Sequence, residues 1–325
     1  MRRILILGGT AWLGHEIARA ALADGAEVVC LARGASGTAP DGARLVVADR
    51  THPGAYDTLD GTWDEVVELS YDLGLVTSAL DALAERARHW TLVSTVSVYA
   101  DDTAPGADES AAVVEPLDLA DYGQAKVAAE RATTARAGHR LLVVRPGLIV
   151  GPGDPSDRFG YWPSRLARGG QVLSPTAAVR SVQVIDVADL AAWVVRTGAD
   201  GVTGVVDAVG HPHTFAELLA QTGAVAGFEG ELVEAEDAWL LDHDVRYWAG
   251  PRSLPLWLPV EAAGLARRSN AAYLAAGGAV RPLEDTLRRT LDDELARGLD
   301  RERRSGVTAE DESALLDELG RPPSA

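Results

Sequence analysis

Cysteine and lysine are almost absent from this sequence. One cysteine, Cys30, in 325 residues rules out an internal disulfide framework. The Cys/His groupings of a structural zinc site are missing too, so no metal is expected. Cationic charge is scarce: 30 Lys plus Arg face 48 Asp plus Glu, a formal net charge of -18. Such a surface is a poor partner for nucleic acid, whose affinity comes largely from basic groups that displace counterions. No apolar run reaches the length of a membrane span, and residues 3–7 read as a strand rather than as the apolar stretch of a secretory signal. The expectation is a cytoplasmic protein that engages neither nucleic acid nor membrane.

The lysine shortage is informative because one survives. Every basic side chain except Lys126 is arginine. Arginine serves on a surface, but it does not replace a compact ammonium on a flexible stem where chemistry needs one, so Lys126 marks a candidate site. It stands four residues after Tyr122, one helical turn away if the segment is a helix.

The first half alternates short β-rich runs with amphipathic stretches, which argues for parallel strands joined by helices. Strands are expected over 3–7, 27–31, 44–48, 65–69, 90–94 and 141–145, and helices over 13–23, 75–86 and 122–137. Runs such as Ile4-Leu5-Ile6-Leu7 are apolar on both faces, as strands covered by helices on two sides must be. The fold class expected is α/β, a Rossmann-like doubly wound parallel sheet. After Pro146, glycine and proline punctuate a long irregular connection. The expected division is a dinucleotide-binding domain over 1–150, joined by a late strand near 205–208, and a smaller, mostly helical substrate lobe with a helical tail over 151–325.

The segment Gly8-Gly9-Thr10-Ala11-Trp12-Leu13-Gly14 lies between the first strand and the first helix. Glycines there let the backbone turn tightly and approach a pyrophosphate, which rests on the helix N-terminus. The second strand ends in Ala32-Arg33. An acidic residue there would accept from an NAD ribose hydroxyl, whereas Arg33 would neutralise a 2′-phosphate, so NADP(H) is expected, with NAD(H) as the alternative. Asp49, at the end of the third strand, is a candidate acceptor for the adenine amino group. Ser70 and Pro146, at the ends of the fourth and sixth strands, are further candidate cofactor contacts.

Together with the glycine loop, Val93-Ser94-Thr95-Val96-Ser97-Val98-Tyr99, Tyr122-Gly123-Gln124-Ala125-Lys126 and Arg145-Pro146-Gly147 resemble the extended short-chain dehydrogenases/reductases, the NAD-dependent epimerase/dehydratase family. The resemblance covers nearly the whole chain. It implies an NAD(P)-dependent oxidoreductase or epimerase in which a tyrosine is the general acid/base. A lysine holds the nicotinamide ribose and lowers the tyrosine pKa, and a Ser or Thr after the fifth strand binds the substrate oxygen. These roles fall on Tyr122, Lys126 and Thr95, with Ser94 and Ser97 as alternative hydroxyl donors. A phenol is otherwise too weak an acid to serve near neutrality, and a neighbouring ammonium favours its phenolate. The resemblance also implies a homodimer paired through the helices at 75–86 and 122–137.

Departures narrow the reaction. Sugar dehydratases of this family carry Asp-Glu after the catalytic threonine, where this chain has Val96 and Ser97. Epimerases of nucleotide sugars usually retain NAD through an acidic residue on the second strand, where this chain has Ala32. Ala11 stands where many members have the middle glycine. The reading is hydride transfer to or from the carbonyl or alcohol of a small, fairly apolar molecule, with epimerisation of a sugar-like substrate as the alternative. A non-catalytic cofactor sensor is the alternative from another class; related regulators have generally lost the Tyr/Lys pair. Substrate contacts are expected from Tyr71, Ser97, Phe159, Tyr161, Trp162 and Arg180.

Overall fold

A computed structural model of the chain describes residues 1–320; the end of the lobe expected over 151–325 lies outside the described residues from position 321 on. Two compact units share the chain. The first comprises residues 1–149, 185–210 and 268–280, and the second residues 150–184, 211–267 and 281 onward.

The first unit is built on a parallel sheet of seven strands: β1 (Arg3–Leu7), β2 (Glu27–Ala32), β3 (Arg44–Val47), β4 (Trp63–Glu68), β5 (Ala87–Val93), β6 (Leu141–Pro146) and a last strand, Gly204–Ala208. Their spatial order is Gly204–Ala208, β6, β5, β4, β1, β2, β3. Strand direction makes alternate residues of β1 face opposite sides, and both sides are apolar. Ile4 and Ile6 join a core with Ile17, Leu190, Trp193 and Val194. Leu5 and Leu7 join another with Val29, Trp63, Val76 and Trp90. The helices that cover the faces include α1 (Trp12–Ala23), α2 (Leu73–Leu83), α3 (Tyr122–Ala137) and Val187–Asp200.

Local chemistry sets the helix ends. Asp72 caps α2 by accepting from Leu75 N at 3.0 Å, which starts the helix two residues before the sequence pattern does. Asp121 caps α3 by accepting from Gln124 N at 2.9 Å, and Gly138, at φ 57, closes it. The connection order of the sheet reverses between β1 and β4, so a crevice opens at the carboxyl ends of those strands.

One buried carboxyl of the sheet is only half satisfied. Glu65 on β4 is 1 % exposed; its Oε1 accepts from Thr91 Oγ1 at 2.9 Å, and its Oε2 has no hydrogen-bond partner among the described residues. Burial pushes its carboxyl up to about 7, against the opposing effects of Thr91 and Arg2. A folded pKa above the unfolded value means the native state holds the proton longer. Stability from this group is present below about pH 4.5 and is lost as pH rises through about 7. Glu65→Gln is therefore expected to raise stability at pH 8 by about 3 kcal/mol and to change it little at pH 4. Urea unfolding at the two pH values checks this; an equal change at both refutes it.

The second unit holds the helices Arg158–Ala167, Phe215–Ala226, Leu283–Arg297 and Ala309–Leu319, and a parallel strand pair, Gln171–Pro175 with Glu231–Ala235. Its core is aromatic: the Trp162 and Phe215 rings meet edge to face with centroids 5.4 Å apart.

Candidate active site

At the carboxyl end of β1 the chain turns through Gly8, whose φ of 99 suits glycine. Gly8 N donates to Leu31 O at 2.9 Å and Ala11 N to Gly8 O at 3.1 Å, closing the turn against β2. The other two glycines are held by close packing. A Cβ on Gly9 would lie 2.4 Å from Cys30 Sγ, and one on Gly14 would lie 2.4 Å from Gly8 O. The turn therefore sits tightly on the sheet and on the first turn of α1. Ala11 is the N-cap and brings no side-chain cap to the α1 amides, the arrangement an anion can complete.

Above this turn lies a cleft of about 540 Å³ lined by Gly8, Thr10, Ala11, Arg33, Asp49, Ser70 and Tyr71, among others. Six of the expected cofactor residues (Gly8, Thr10, Ala11, Arg33, Asp49 and Ser70) are thus brought together around one space. Gly9 and Gly14 lie beneath it as packing glycines, Trp12 and Leu13 open α1, and Pro146 ends β6, buried. Arg33 is exposed at the rim. Asp49 accepts from Thr51 N at 3.0 Å and Thr51 Oγ1 at 2.7 Å, and these bonds hold its carboxyl below its usual range. The residues present fit a dinucleotide: a close-packed glycine turn, an uncapped helix start, and an arginine after β2.

Sequence reasoning missed Arg50, which lines the same cleft. Its guanidinium forks onto the Glu68 carboxylate, with Nη1 to Oε1 at 3.0 Å, and Nε donates to Tyr56 Oη at 3.1 Å. Glu68 Oε1 also accepts from Ser70 N at 2.8 Å, so the pair fixes the backbone where β4 leaves the sheet. The pairing joins the turn after β3 to the end of β4 and leaves no local pattern to read.

Thr95 follows the end of β5, and Tyr122 and Lys126 lie in the first turns of α3. α3 starts against the turn after that strand: a Cβ on Gly123 would fall 2.4 Å from Ser97 O. Tyr122 is 46 % exposed and Lys126 is 3 % exposed. Lys126 Nζ donates to Val93 O at 2.6 Å, Leu69 O at 3.2 Å and Ser70 O at 3.4 Å. Burial brings its pKa down to about 8, with Glu68 and Glu130 pulling the other way. Tyr71 connects the two. Its ring meets the Tyr122 ring edge-on at 5.2 Å, and Lys126 Nζ lies 5.8 Å from its centroid. Tyr71 itself lines the cleft, so phenol and ammonium each neighbour one of its lining residues.

The three candidate hydroxyls differ. Ser94 is buried and donates to Glu130 Oε1 at 2.5 Å. Thr95 is buried, accepts from Ser97 N at 3.1 Å and donates to Ser97 Oγ at 3.2 Å; Ser97 is exposed. In the second unit, Phe159, Tyr161 and Trp162 are buried as core. Arg180 is buried as well: it pairs with Asp237, and its Nε donates to Leu258 O at 3.1 Å.

Fold and site together define a nucleotide-binding enzyme of the dehydrogenase/epimerase type. Residues 4–208, more than half of the chain, match the NAD-dependent epimerase/dehydratase family, and the chain belongs to it. It is accordingly an NAD(P)-dependent oxidoreductase or epimerase. Among curated proteins it is 31% identical over 190 residues to 2'-dehydrokanamycin reductase of Streptomyces kanamyceticus, over 55% of this chain and 53% of that protein, so the match spans about half of that relative. It is 28% identical over 263 residues to ceramide reductase of Caulobacter vibrioides, over 73% and 75% of the two chains. Among solved structures, UDP-N-acetylglucosamine 4-epimerase from Bacillus cereus superposes with a TM-score of 0.69 at 18% identity, over 93% of this chain and 99% of that one, a likeness of fold. Among the described residues no helix is long and apolar enough to cross a membrane.

Proposed function

We propose that this enzyme is an NADP(H)-dependent reductase or dehydrogenase that moves hydride to or from the carbonyl or alcohol of a small, fairly apolar molecule. The observation that carries the reading is the position of Tyr71, which lines the cleft, meets the Tyr122 ring edge-on and has the Lys126 ammonium 5.8 Å from its centroid. Arg33, Ala11 and the α1 amides would hold the phosphates, Asp49 the adenine, and Lys126 the nicotinamide ribose. Bound NADPH supplies the hydride. Tyr122 Oη holds the proton that the carbonyl oxygen takes as the carbonyl becomes an alcohol, and Thr95 Oγ1 donates to that oxygen while charge builds on it. The Lys126 ammonium stabilises the phenolate left behind, and in the oxidative direction Tyr122 takes the proton back. Two reductases among the relatives favour net reduction over epimerisation. We further propose a cytoplasmic homodimer.

The test is a screen of NADPH oxidation against carbonyl compounds with the purified enzyme. Turnover of one class supports the reading; tight NADPH binding with no turnover of any compound favours a sensor instead. For cofactor choice, Arg33→Ala is expected to lower the preference for NADPH over NADH by about 10- to 100-fold, the scale of one lost charge-assisted contact to a phosphate. Dissociation constants for both nucleotides decide it, and an unchanged ratio overturns the assignment.

A further inference from the structure

Glu130 stands one turn beyond Lys126 on α3 and is buried, 7 % exposed. Its carboxylate is held from two strands. Ser94 Oγ, at the end of β5, donates to Oε1 at 2.5 Å; from β6, Arg145 donates through Nε to Oε1 at 3.0 Å and through Nη2 to Oε2 at 2.6 Å. The cluster continues outward, since Arg145 Nη1 donates to Tyr99 Oη at 2.9 Å and Tyr99 Oη to Asp207 Oδ1 at 2.6 Å. A two-point guanidinium–carboxylate contact admits a narrow range of geometries, so it fixes position as well as charge. A buried ion pair is also weak as a source of net stability, because an apolar pair of similar volume often does as well or better. A pair placed beside the chain's single lysine thus calls for a reason other than stability.

We propose that Glu130 is a positioning residue: clamped by Ser94 and Arg145, it fixes the Lys126 turn of α3 against the end of β5 and presents a negative charge to the lysine, so that the ammonium persists in an enclosure of carbonyls. The role in turnover rests on the function proposed above for Lys126; the charge relation does not. The groups facing Lys126 are few. β4 brings Glu68, itself paired with Arg50, and the residue Tyr71 that follows it; α3 brings Glu130 and Tyr122; β6 brings Arg145 through Glu130; β5 brings the neutral Val93 carbonyl and Ser94 hydroxyl. Of these, Glu68 and Glu130 favour the charged lysine.

A single lysine makes the experiment direct. Enzyme grown on lysine labelled at Cε with a stable carbon isotope gives one lysine resonance, whose shift against pH reports Lys126 alone. In the wild-type protein the midpoint is expected at about 8. In Glu130→Gln, loss of a charge one helical turn away should move it down by about one pH unit or more, and kcat measured at pH 8 should fall about five-fold or more as the ammonium fraction falls. A folded Glu130→Gln variant with an unchanged midpoint overturns the proposal, whatever its melting temperature. Should Glu130→Gln fail to fold, Glu130→Asp keeps the charge for Arg145 while shortening the reach to Ser94. There kcat is expected to fall several-fold with unchanged NADPH affinity, and wild-type kcat overturns the proposal. If the lysine midpoint moves in Glu130→Gln while Tyr122→Phe keeps full turnover, the charge relation stands and the catalytic reading falls.

Discussion

Replacing Tyr122 by phenylalanine is expected to lower kcat by about two to four orders of magnitude, the usual contribution of a positioned general acid/base. NADPH affinity should stay within about two-fold, because a change confined to the reacting proton removes transition-state binding rather than ground-state binding. The substitution deletes one oxygen and keeps the ring. The edge-to-face contact with Tyr71 at 5.2 Å survives, and with it the wall that Tyr71 contributes to the cleft. Tyr122 is half exposed, so no buried hydroxyl is lost from a core. Stability should therefore be unchanged, and circular dichroism with thermal melting separates a chemical from a structural effect. The pH dependence adds a second check. Lys126 titrates at about 8, so wild-type turnover in the reductive direction should decline above that pH as the ammonium is lost. Full turnover by a folded, NADPH-binding Tyr122→Phe enzyme would remove the tyrosine from the mechanism.

What the sequence reveals, and what it hides, follows the distance between interacting residues. The glycine turn was legible because a strand, a turn and a helix start lie within a dozen consecutive positions, and the turn lines a cleft as that pattern requires. The Rossmann-like sheet was legible because β1, β2 and β6 are apolar on both faces. β5 was only half legible. It begins at Ala87, three residues before the apolar run, and includes His89, which is buried with Nε2 2.8 Å from Val202 O. A partner 113 positions away gives no local sign. Helix Val187–Asp200 was overlooked although its signals are present: Asp186 caps it by accepting from Ala188 N at 2.8 Å, and Gly201 ends it at φ 68. The punctuation after Pro146 masked a return to the first unit. Within the site, Tyr122 and Lys126 were legible as an i, i+4 pair. The clamps around them, Arg50 on Glu68 and Arg145 on Glu130, were not, since one joins the turn after β3 to β4 and the other joins β6 to α3. Aromatic density after Pro146 was ambiguous for another reason: Phe159, Tyr161 and Trp162 fill a core of their own, and composition does not tell a core from a pocket lining.

Gly14→Ala should weaken NADPH binding by at least roughly 100-fold and lower stability by about 2 kcal/mol, the range seen when a methyl group is forced into a filled space. The reason lies in what surrounds the added Cβ. It would stand 2.4 Å from Gly8 O, 2.9 Å from Gly9 Cα and 2.8 Å from Leu69 Cδ1. A leucine methyl can rotate away, but the two backbone atoms belong to the turn that would carry the phosphates. Relief requires α1 to lift from that turn, which spreads the amides meant to converge on one anion. Binding should suffer more than folding, because a displaced helix can still cover the sheet while a displaced amide no longer reaches its ligand. Ala11→Gly supplies the contrast: Ala11 is exposed at the same helix start, so removing its methyl disturbs no packing and should leave affinity within a few-fold. Fluorescence titration with NADPH and urea unfolding measure both quantities on each variant. Wild-type affinity in Gly14→Ala would mean that the close approach of helix and turn has no part in holding the nucleotide.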